Sequence, residues 1–265
     1  FNQDVSKLPP FLTHLTFGYC FDQDISKLPP FLTHLTFGDN FDQDVSKLPP
    51  FLTHLTFGSS FNQDVSKLPP FLTHLTFGYE FNQNVLNLPP TLTHLTFGDE
   101  FNQNVSKLPQ NLTNLSFGYY FNQDISNLPP FLTHLTFGYF LNQQYIIPPN
   151  IKYLKLNCND LYIINSLPNS IIELELDYSF NLRMDNLPTS IKILRIDKKS
   201  GYNMDLNCLP NFIEELHLNF NYNKRILRIP TNLKKIVCHN DYPYINDFAS
   251  YNVEIYHERF IMYNF

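Results

Sequence analysis

The stretch "SKLPPFLTHLTFG" spans residues 6–18 and returns almost unchanged at 26–38, 46–58, 66–78 and 126–138. A strict 20-residue interval between copies of Leu-Pro-Pro and Leu-x-x-Leu-x-Phe-Gly is the signature of a stacked array rather than of one catalytic centre. Reading outward, the Leu-Pro pair falls at 8, 28, 48, 68, 88, 108 and 128, and in worn form at 147, 167, 187, 209 and 229. The interval slips to 19 once and to 22 once, and the longer one holds "DKKSG" at 197–201, read as a loop insertion.

After each of these prolines, apolar residues sit three, six and eight positions on. In the first copy they are Leu12, Leu15 and Phe17; in the worn copies they include Ile151, Leu154 and Leu156, and Leu233, Ile236 and Cys238. Leu15-Thr16-Phe17 alternates with a period of two, which predicts a short strand with one buried face. Pro9 and Pro10 lack amide donors and fix φ, so the strand cannot start before them. Gly18 ends it, by the expectation that the chain turns sharply there. The remaining dozen or so residues predict extended or 3-10 backbone rather than a long helix. Asn2, or Asp22 and Asp42 at the same place, is suited to bonding turn amides in a ladder. The apolar residues of one twenty-residue copy cannot offset the cost of ordering it, so neighbours must close the core.

Composition narrows the function. Hydrophobic residues make up 43% of the 265 and charged residues 16%, which excludes a disordered polar chain. The net charge is −6, with 5 Lys/Arg against 11 Asp/Glu in residues 1–140 and 13 against 13 beyond. No basic stripe is available for phosphates, so nucleic acid is not expected as a partner. No apolar run is long enough to span a membrane. Cys20, Cys158, Cys208 and Cys238 follow no disulfide or metal spacing and read as reduced thiols, with Cys238 in the core. The Asn-x-Ser/Thr matches at 104–106, 111–113 and 114–116 read as chance in so Asn-rich a chain. Phe1 begins mid-pattern without an initiator Met, as in a fragment or an incomplete gene model.

"FNQDVSKLPPFLTHLTFG" resembles the FNIP repeat, a relative of leucine-rich repeats found in social amoebae and amoeba-infecting giant viruses. Phe-Asn, Leu-Pro and Leu-x-x-Leu-x-Phe-Gly carry the resemblance over nearly the whole chain, with Leu-Pro mostly replacing the Ile-Pro of the family's name. The resemblance implies a leucine-rich-repeat-like solenoid: a parallel β-sheet of about twelve short strands on the concave side, and an irregular, 3-10 or extended convex side. Some relatives carry an F-box, which implies a substrate-recognition arm of a ubiquitin ligase; that role needs an N-terminal domain not found in these residues. By this reading residues 1–238 form the solenoid, near-identical in 1–140 and degenerate in 141–238. The Tyr- and Phe-rich segment 239–265 covers its last open core.

With Leu15 and Phe17 inward, positions 14 and 16 face out from the sheet. This gives a histidine row of His14, His34, His54, His74, His94 and His134, broken by Asn114. Beside it runs a threonine row of Thr16, Thr36, Thr56, Thr76, Thr96 and Thr136, with Ser116 in the gap. These twelve His and Thr residues are the expected partner-binding face. Phe11, Phe31, Phe51, Phe71 and Phe131 form either an outward aromatic strip or, as favoured, an inter-repeat stack. Positions 19 and 20 vary most among the copies and adjoin the face.

The sequence supports no catalytic centre: no Gly-x-Ser-x-Gly, P-loop or His-Glu-x-x-His appears. Asp4 and its copies sit on an exposed loop with no reason for a shifted pKa. His217, His239 and His257 read as surface or capping residues. No cofactor and no metal is expected, since a straight histidine row lacks convergent ligands. The expected function is therefore a non-catalytic protein-interaction module in the cytoplasm, of the host cell if viral, with an unidentified protein partner. The alternatives are a flat ligand-, metal- or ice-binding array, or the binding arm of an enzyme whose catalytic domain lies elsewhere.

Overall fold

The computed structural model describes residues 4–139, 145–157 and 159–258. Phe1, Asn2, Cys158 and the end of the C-terminal segment (259–265) lie outside the described residues. The chain forms two compact units, Phe1–Tyr145 and Ile146–Phe265.

The first unit carries strands β1 (His14–Thr16), β2 (His34–Thr36), β3 (His54–Thr56), β4 (His74–Thr76), β5 (His94–Thr96), β6 (Asn114–Ser116) and β7 (His134–Phe137). Each runs parallel to the next in strict 20-residue register: His14 faces His34, Leu15 faces Leu35 and Thr16 faces Thr36, and the pattern repeats through β7. Between strands the chain closes a coil through three tight turns. Around β2 these are Leu32 N to Pro29 O at 3.4 Å, Phe41 N to Gly38 O at 3.3 Å and Leu48 N to Val45 O at 3.3 Å. The second proline of each pair, Pro30 here, occupies the first central position of its turn, where its fixed φ is favourable. Its exposed ring needs no donor there.

Inside the coils, Leu32, Leu35, Phe37, Phe41, Val45 and Leu48 are all buried, as are their counterparts in the next three copies. Two phenylalanine columns dominate. Phe37 and Phe41 stack at 3.8 Å within one coil, and Phe37–Phe57 and Phe41–Phe61 continue between coils at 5.6 and 6.1 Å. Ring pairs of this kind add about 0.5–1.5 kcal/mol each beyond their buried area.

The chain turns at Gly18 and its copies as expected, with Phe21 N donating to Gly18 O at 3.2 Å, but among the described residues no glycine has positive φ, so the turn is not what calls for glycine. The requirement is close approach. A Cβ at Gly98 would lie 1.8 Å from the Gly78 carbonyl oxygen, and one at Gly138 1.7 Å from that of Gly118. Each copy presses its backbone against the one before.

The second unit repeats the plan with a worn sequence. Its strands are β8 (Tyr153–Leu156), β9 (Glu173–Leu176), β10 (Ile193–Ile196), β11 (Glu215–His217), β12 (Lys235–His239) and β13 (Glu254–Glu258), again parallel. One coil contains a five-residue helix, α1 (Leu161–Asn165), capped by the Asp160 carboxylate, which accepts from Tyr162 N and Ile163 N. Phe180, Tyr202, Tyr222 and Tyr242 replace the second phenylalanine column, and all four are buried. The insertion at 197–201 folds as a turn, with Lys199 N donating to the Asp197 side chain at 2.8 Å and Ser200 fully buried. Cys238 lies in the core, and burial pushes its thiol up to about 11.

Among the described residues the strands number thirteen, in keeping with the expected twelve or so. The C-terminal segment forms a 3-10 helix at Ile245–Tyr251, whose Phe248 is buried, and then supplies β13 beside β12. "EIYHE" follows no Leu-Pro pair, so the period could not mark it.

Candidate interaction surface

The open face of the first unit is built from the outward residues of seven three- or four-residue strands. His14, His34, His54, His74 and His94 stack face to face with ring centroids 4.1–4.2 Å apart and planes within 12°. Thr16, Thr36, Thr56, Thr76 and Thr96 lie in register beside them, followed by Ser116 and then His134 and Thr136 on β7. On β1 these side chains are exposed; from β2 onward they are half-buried by their neighbours. The sequence prediction thus names residues that lie on one surface.

A third row, not assigned from sequence, fixes the histidines. Thr33 Oγ1 donates to Thr13 O at 3.1 Å and lies 2.9 Å from His34 Nδ1. The same pair of contacts recurs at Thr53, Thr73 and Thr93. Partial burial, reinforced by repulsion between neighbouring rings, holds His34, His54, His74 and His94 below the ordinary histidine pKa, so they are neutral at pH 7. Parallel rings direct their lone pairs side by side rather than to a common point. Among the described residues no group of three or more His, Cys, Asp or Glu is placed to hold a metal ion.

The flanks differ chemically. At the strands' entry, Phe11, Phe31, Phe51, Phe71 and Phe131 are 47–78% exposed, an outward strip; Phe11 and Phe31 also stack at 5.9 Å. Where the row turns polar, the side chain binds the preceding copy instead: Thr91 Oγ1 donates to Pro70 O at 2.9 Å and Asn111 Nδ2 to Pro90 O at 3.0 Å. At the strands' exit, positions 19 and 20 form a rim. Tyr19, Tyr79, Tyr120 and Tyr139 are exposed there, and Tyr119 stacks on Tyr139 at 5.0 Å. The rim backbone is tied between copies, for example by Ser60 N to Asp39 O and Glu80 N to Ser59 O, both 2.8 Å.

Away from this face, the Asn/Asp ladder forms as expected from Asp22 onward. Asn62 N donates to Asp42 Oδ1 at 2.8 Å, Asn82 N to Asn62 Oδ1 at 2.9 Å, and Asn102 N to Asn82 Oδ1 at 2.9 Å. The aspartates of the next loop require a correction. Asp4, Asp24, Asp44, Asp64 and Asp124 are exposed but held below the usual carboxylate range, because the Ser two residues on donates both its hydroxyl and its amide. In the second copy these bonds are 2.7 and 2.9 Å. An Asx-turn is a local partner that exposure alone does not reveal.

The open face of the second unit is charged, a feature sequence reasoning missed. Arg195 bonds Glu173 at 2.7 Å and Glu215 at 3.2 Å, Lys155 bonds Glu175 at 2.6 Å, and Lys235 bonds Glu215 at 3.1 Å. His217 bonds Glu215 and Arg195 within this network, and burial lowers its pKa. The signal was present in the alternation of "IELEL" and "KILRI", where Glu173 and Glu175 take the places of His14 and Thr16 and Arg195 takes that of Thr16. A cavity of about 280 Å³ adjoins it, lined in part by Glu175, Arg195, Lys198 and His217. His239 packs edge-on against Phe220, and His257 is exposed on β13. Among the described residues no helix is long and apolar enough to cross a membrane.

In-register parallel strands, one per roughly twenty-residue coil, define a leucine-rich-repeat-like solenoid, and solved structures agree. The giant-virus protein CroV588, described as a novel circular LRR protein, superposes with a TM-score of 0.70 and 40% identity over 90% of this chain. The match takes in 39% of CroV588, so the chain spans well under half of that protein. An internalin, InlF of Listeria monocytogenes, gives a TM-score of 0.58 at 19% identity over 94% of this chain and 87% of its own. YopM of Yersinia enterocolitica gives 0.52 at 21% over 88% and 56%. No curated protein matches the chain in sequence. The FNIP Repeat family matches residues 64–100, 101–140, 142–179 and 159–199, and the chain belongs to that family.

Proposed function

We propose that this chain is a non-catalytic protein-interaction module whose working surface is the open face of the first unit. Its contact residues are His14, Thr16, His34, Thr36, His54, Thr56, His74, Thr76, His94, Thr96, His134 and Thr136. The observation that carries the proposal is the regular ladder of half-buried His and Thr side chains between an aromatic strip and a rim of varying residues. A rigid array of this kind offers a partner an ordered surface with little side-chain entropy left to lose. Leucine-rich-repeat proteins are typically interaction modules, which supports the reading. The exposed, unpaired thiols of Cys20 and Cys208 support a cytoplasmic setting. In this reading the module presents its bound protein to other machinery, the ubiquitin ligase implied by the family resemblance being one instance.

The test places a photo-crosslinking residue at Thr56 on the face or at Lys47 on the far side of the coil. Specific protein adducts from Thr56 and none from Lys47 are expected in cells. Equal adduct yields from both positions would remove the assignment of this face.

A further inference from the structure

We propose that the open face of the first unit takes an extended, arginine- or lysine-rich segment of its partner, an inference that rests on the interaction-module reading above. Two features of the surface favour a cationic partner.

The first is the ordered state of the histidine row. His34, His54, His74 and His94 are each fixed by stacking on their neighbours and by a 2.9 Å contact between Nδ1 and the adjoining Thr33, Thr53, Thr73 or Thr93 hydroxyl. Their outer edges, with the threonine row beside them, form a line of polar groups that accept hydrogen bonds without adding positive charge. A guanidinium matches such a line, because it supplies up to five donors in a rigid fork.

The second is where the charges sit. All five lysines of residues 1–140, namely Lys7, Lys27, Lys47, Lys67 and Lys107, occupy the loop at position 7 of the copy. That loop lies across the coil from the strand. The rim beside the strand holds Asp39, Glu80, Asp99 and Glu100 and no cation at all. Among the described residues, none of these four carboxylates forms an ion pair. Asp39 and Asp99 accept from Ser59 and Tyr119 in the next copy. Glu100 accepts from the Tyr79 hydroxyl. No ion pair among the described residues compensates their charge, and Asp39, Asp99 and Glu100 are also held in place. Exposed Tyr19, Tyr79, Tyr120 and Tyr139 alternate with them and provide faces for cation–π contact. The open face of the second unit, by contrast, has its Arg and Lys already paired with Glu. Seven strands at ~4.8 Å present ~29 Å, a length matched by about nine residues of extended peptide.

The experiment measures binding of a fluorescent ten-residue peptide alternating Arg and Ser, and of its Glu–Ser counterpart, to the full chain at 50 and 300 mM salt. Three variants are compared: D39N/E80Q/D99N/E100Q, H54A/T56A/H74A/T76A, and K47Q/K67Q/K107Q. Expected are saturable binding of the Arg peptide only, weakened about tenfold or more by the first variant and by high salt. The second variant should also weaken it and the third leave it unchanged. Circular dichroism confirms that each variant is folded; because the first exchanges carboxylates for isosteric amides, the side chains at positions 39 and 99 keep an acceptor oxygen. Absence of Arg-peptide binding, or binding indifferent to the four rim substitutions, overturns the proposal. If that happens while Thr56 still crosslinks specifically to a protein, the interaction face stands and only its charge assignment falls. If Thr56 crosslinking fails as well, both fall.

Discussion

Replacing Gly98 with Ala puts a methyl group 1.8 Å from the Gly78 carbonyl oxygen and 2.4 Å from its carbon. An ordinary carbon–oxygen contact is about 3.3 Å, so the two coils must part by about 1.5 Å. Two backbone bonds tie these coils close to the site: Phe77 N to Thr96 O at 2.9 Å and Glu100 N to Tyr79 O at 3.0 Å. Parting stretches both beyond hydrogen-bonding range, a loss of about 1–3 kcal/mol together. Strain in the packed Phe77 and Phe97 layers adds about 1–3 kcal/mol. The expected destabilisation is therefore about 2–6 kcal/mol, seen as a lower urea midpoint by far-ultraviolet circular dichroism. Gly201→Ala is the internal control, because no atom lies within 4 Å of its Cβ position and its φ is not positive. It should be neutral or stabilising by up to about 1 kcal/mol. If Gly98→Ala unfolds at the same midpoint as Gly201→Ala, the close-approach argument is wrong.

Phe61→Ala empties a fully buried position stacked 3.7 Å from Phe57, and should cost about 3–5 kcal/mol in equilibrium unfolding. Asn82→Ala removes the acceptor for Asn102 N and Gln103 Nε2 and should cost about 1–2 kcal/mol. Asn82→Asp keeps that acceptor, as Asp42 does naturally, and should cost far less. The pH dependence follows from the histidine row. Its folded pKa values lie below the ordinary 6.5, so the unfolded chain binds more protons and stability rises with pH. That contribution is complete above about pH 7 and is lost as pH falls through 6.5 into the lowered values; the Asp4-type carboxylates, also lowered, add their loss only in stronger acid. Thermal melts from pH 7.5 to 5 should show a falling midpoint that flattens in a His34, His54, His74 and His94→Gln variant, and an unchanged slope there would refute the linkage.

The fold was legible because the determinants are periodic. Leu12, Leu15 and Phe17 repeat a buried frame, and the paired prolines and Gly18 bracket each strand at fixed places. The Asn/Asp ladder and the twelve outward His and Thr residues followed from that register. What stayed hidden depends on contacts between copies rather than on residues within one. Gly18-type positions do open a turn, but what demands glycine there is close approach, which only the neighbouring carbonyl reveals. The Asp4-type carboxylates read as unperturbed on exposure alone, which leaves out the Ser two residues away. Strand β13 has no Leu-Pro to announce it. The charged face of the second unit was written in "IELEL" and "KILRI", but only the cleaner copies, with histidine and threonine at these places, display the alternation plainly. Phe11-type residues could not be assigned from alternation alone, since their exposure depends on how far each ring leans toward the next coil.

Cysteine crosslinking tests the central claim, that consecutive twenty-residue coils lie side by side in parallel register. Thr56→Cys and Thr76→Cys, placed in a chain with Cys20 and Cys208 replaced by Ser, put two thiols on directly paired positions. Adjacent strands lie ~4.8 Å apart, within disulfide reach. Mild oxidation should join this pair rapidly and leave Thr56→Cys with Thr96→Cys, two strands apart, unjoined. Equal crosslinking of both pairs, or none at positions 56 and 76, would contradict the stacked register from which the core and the binding face both follow.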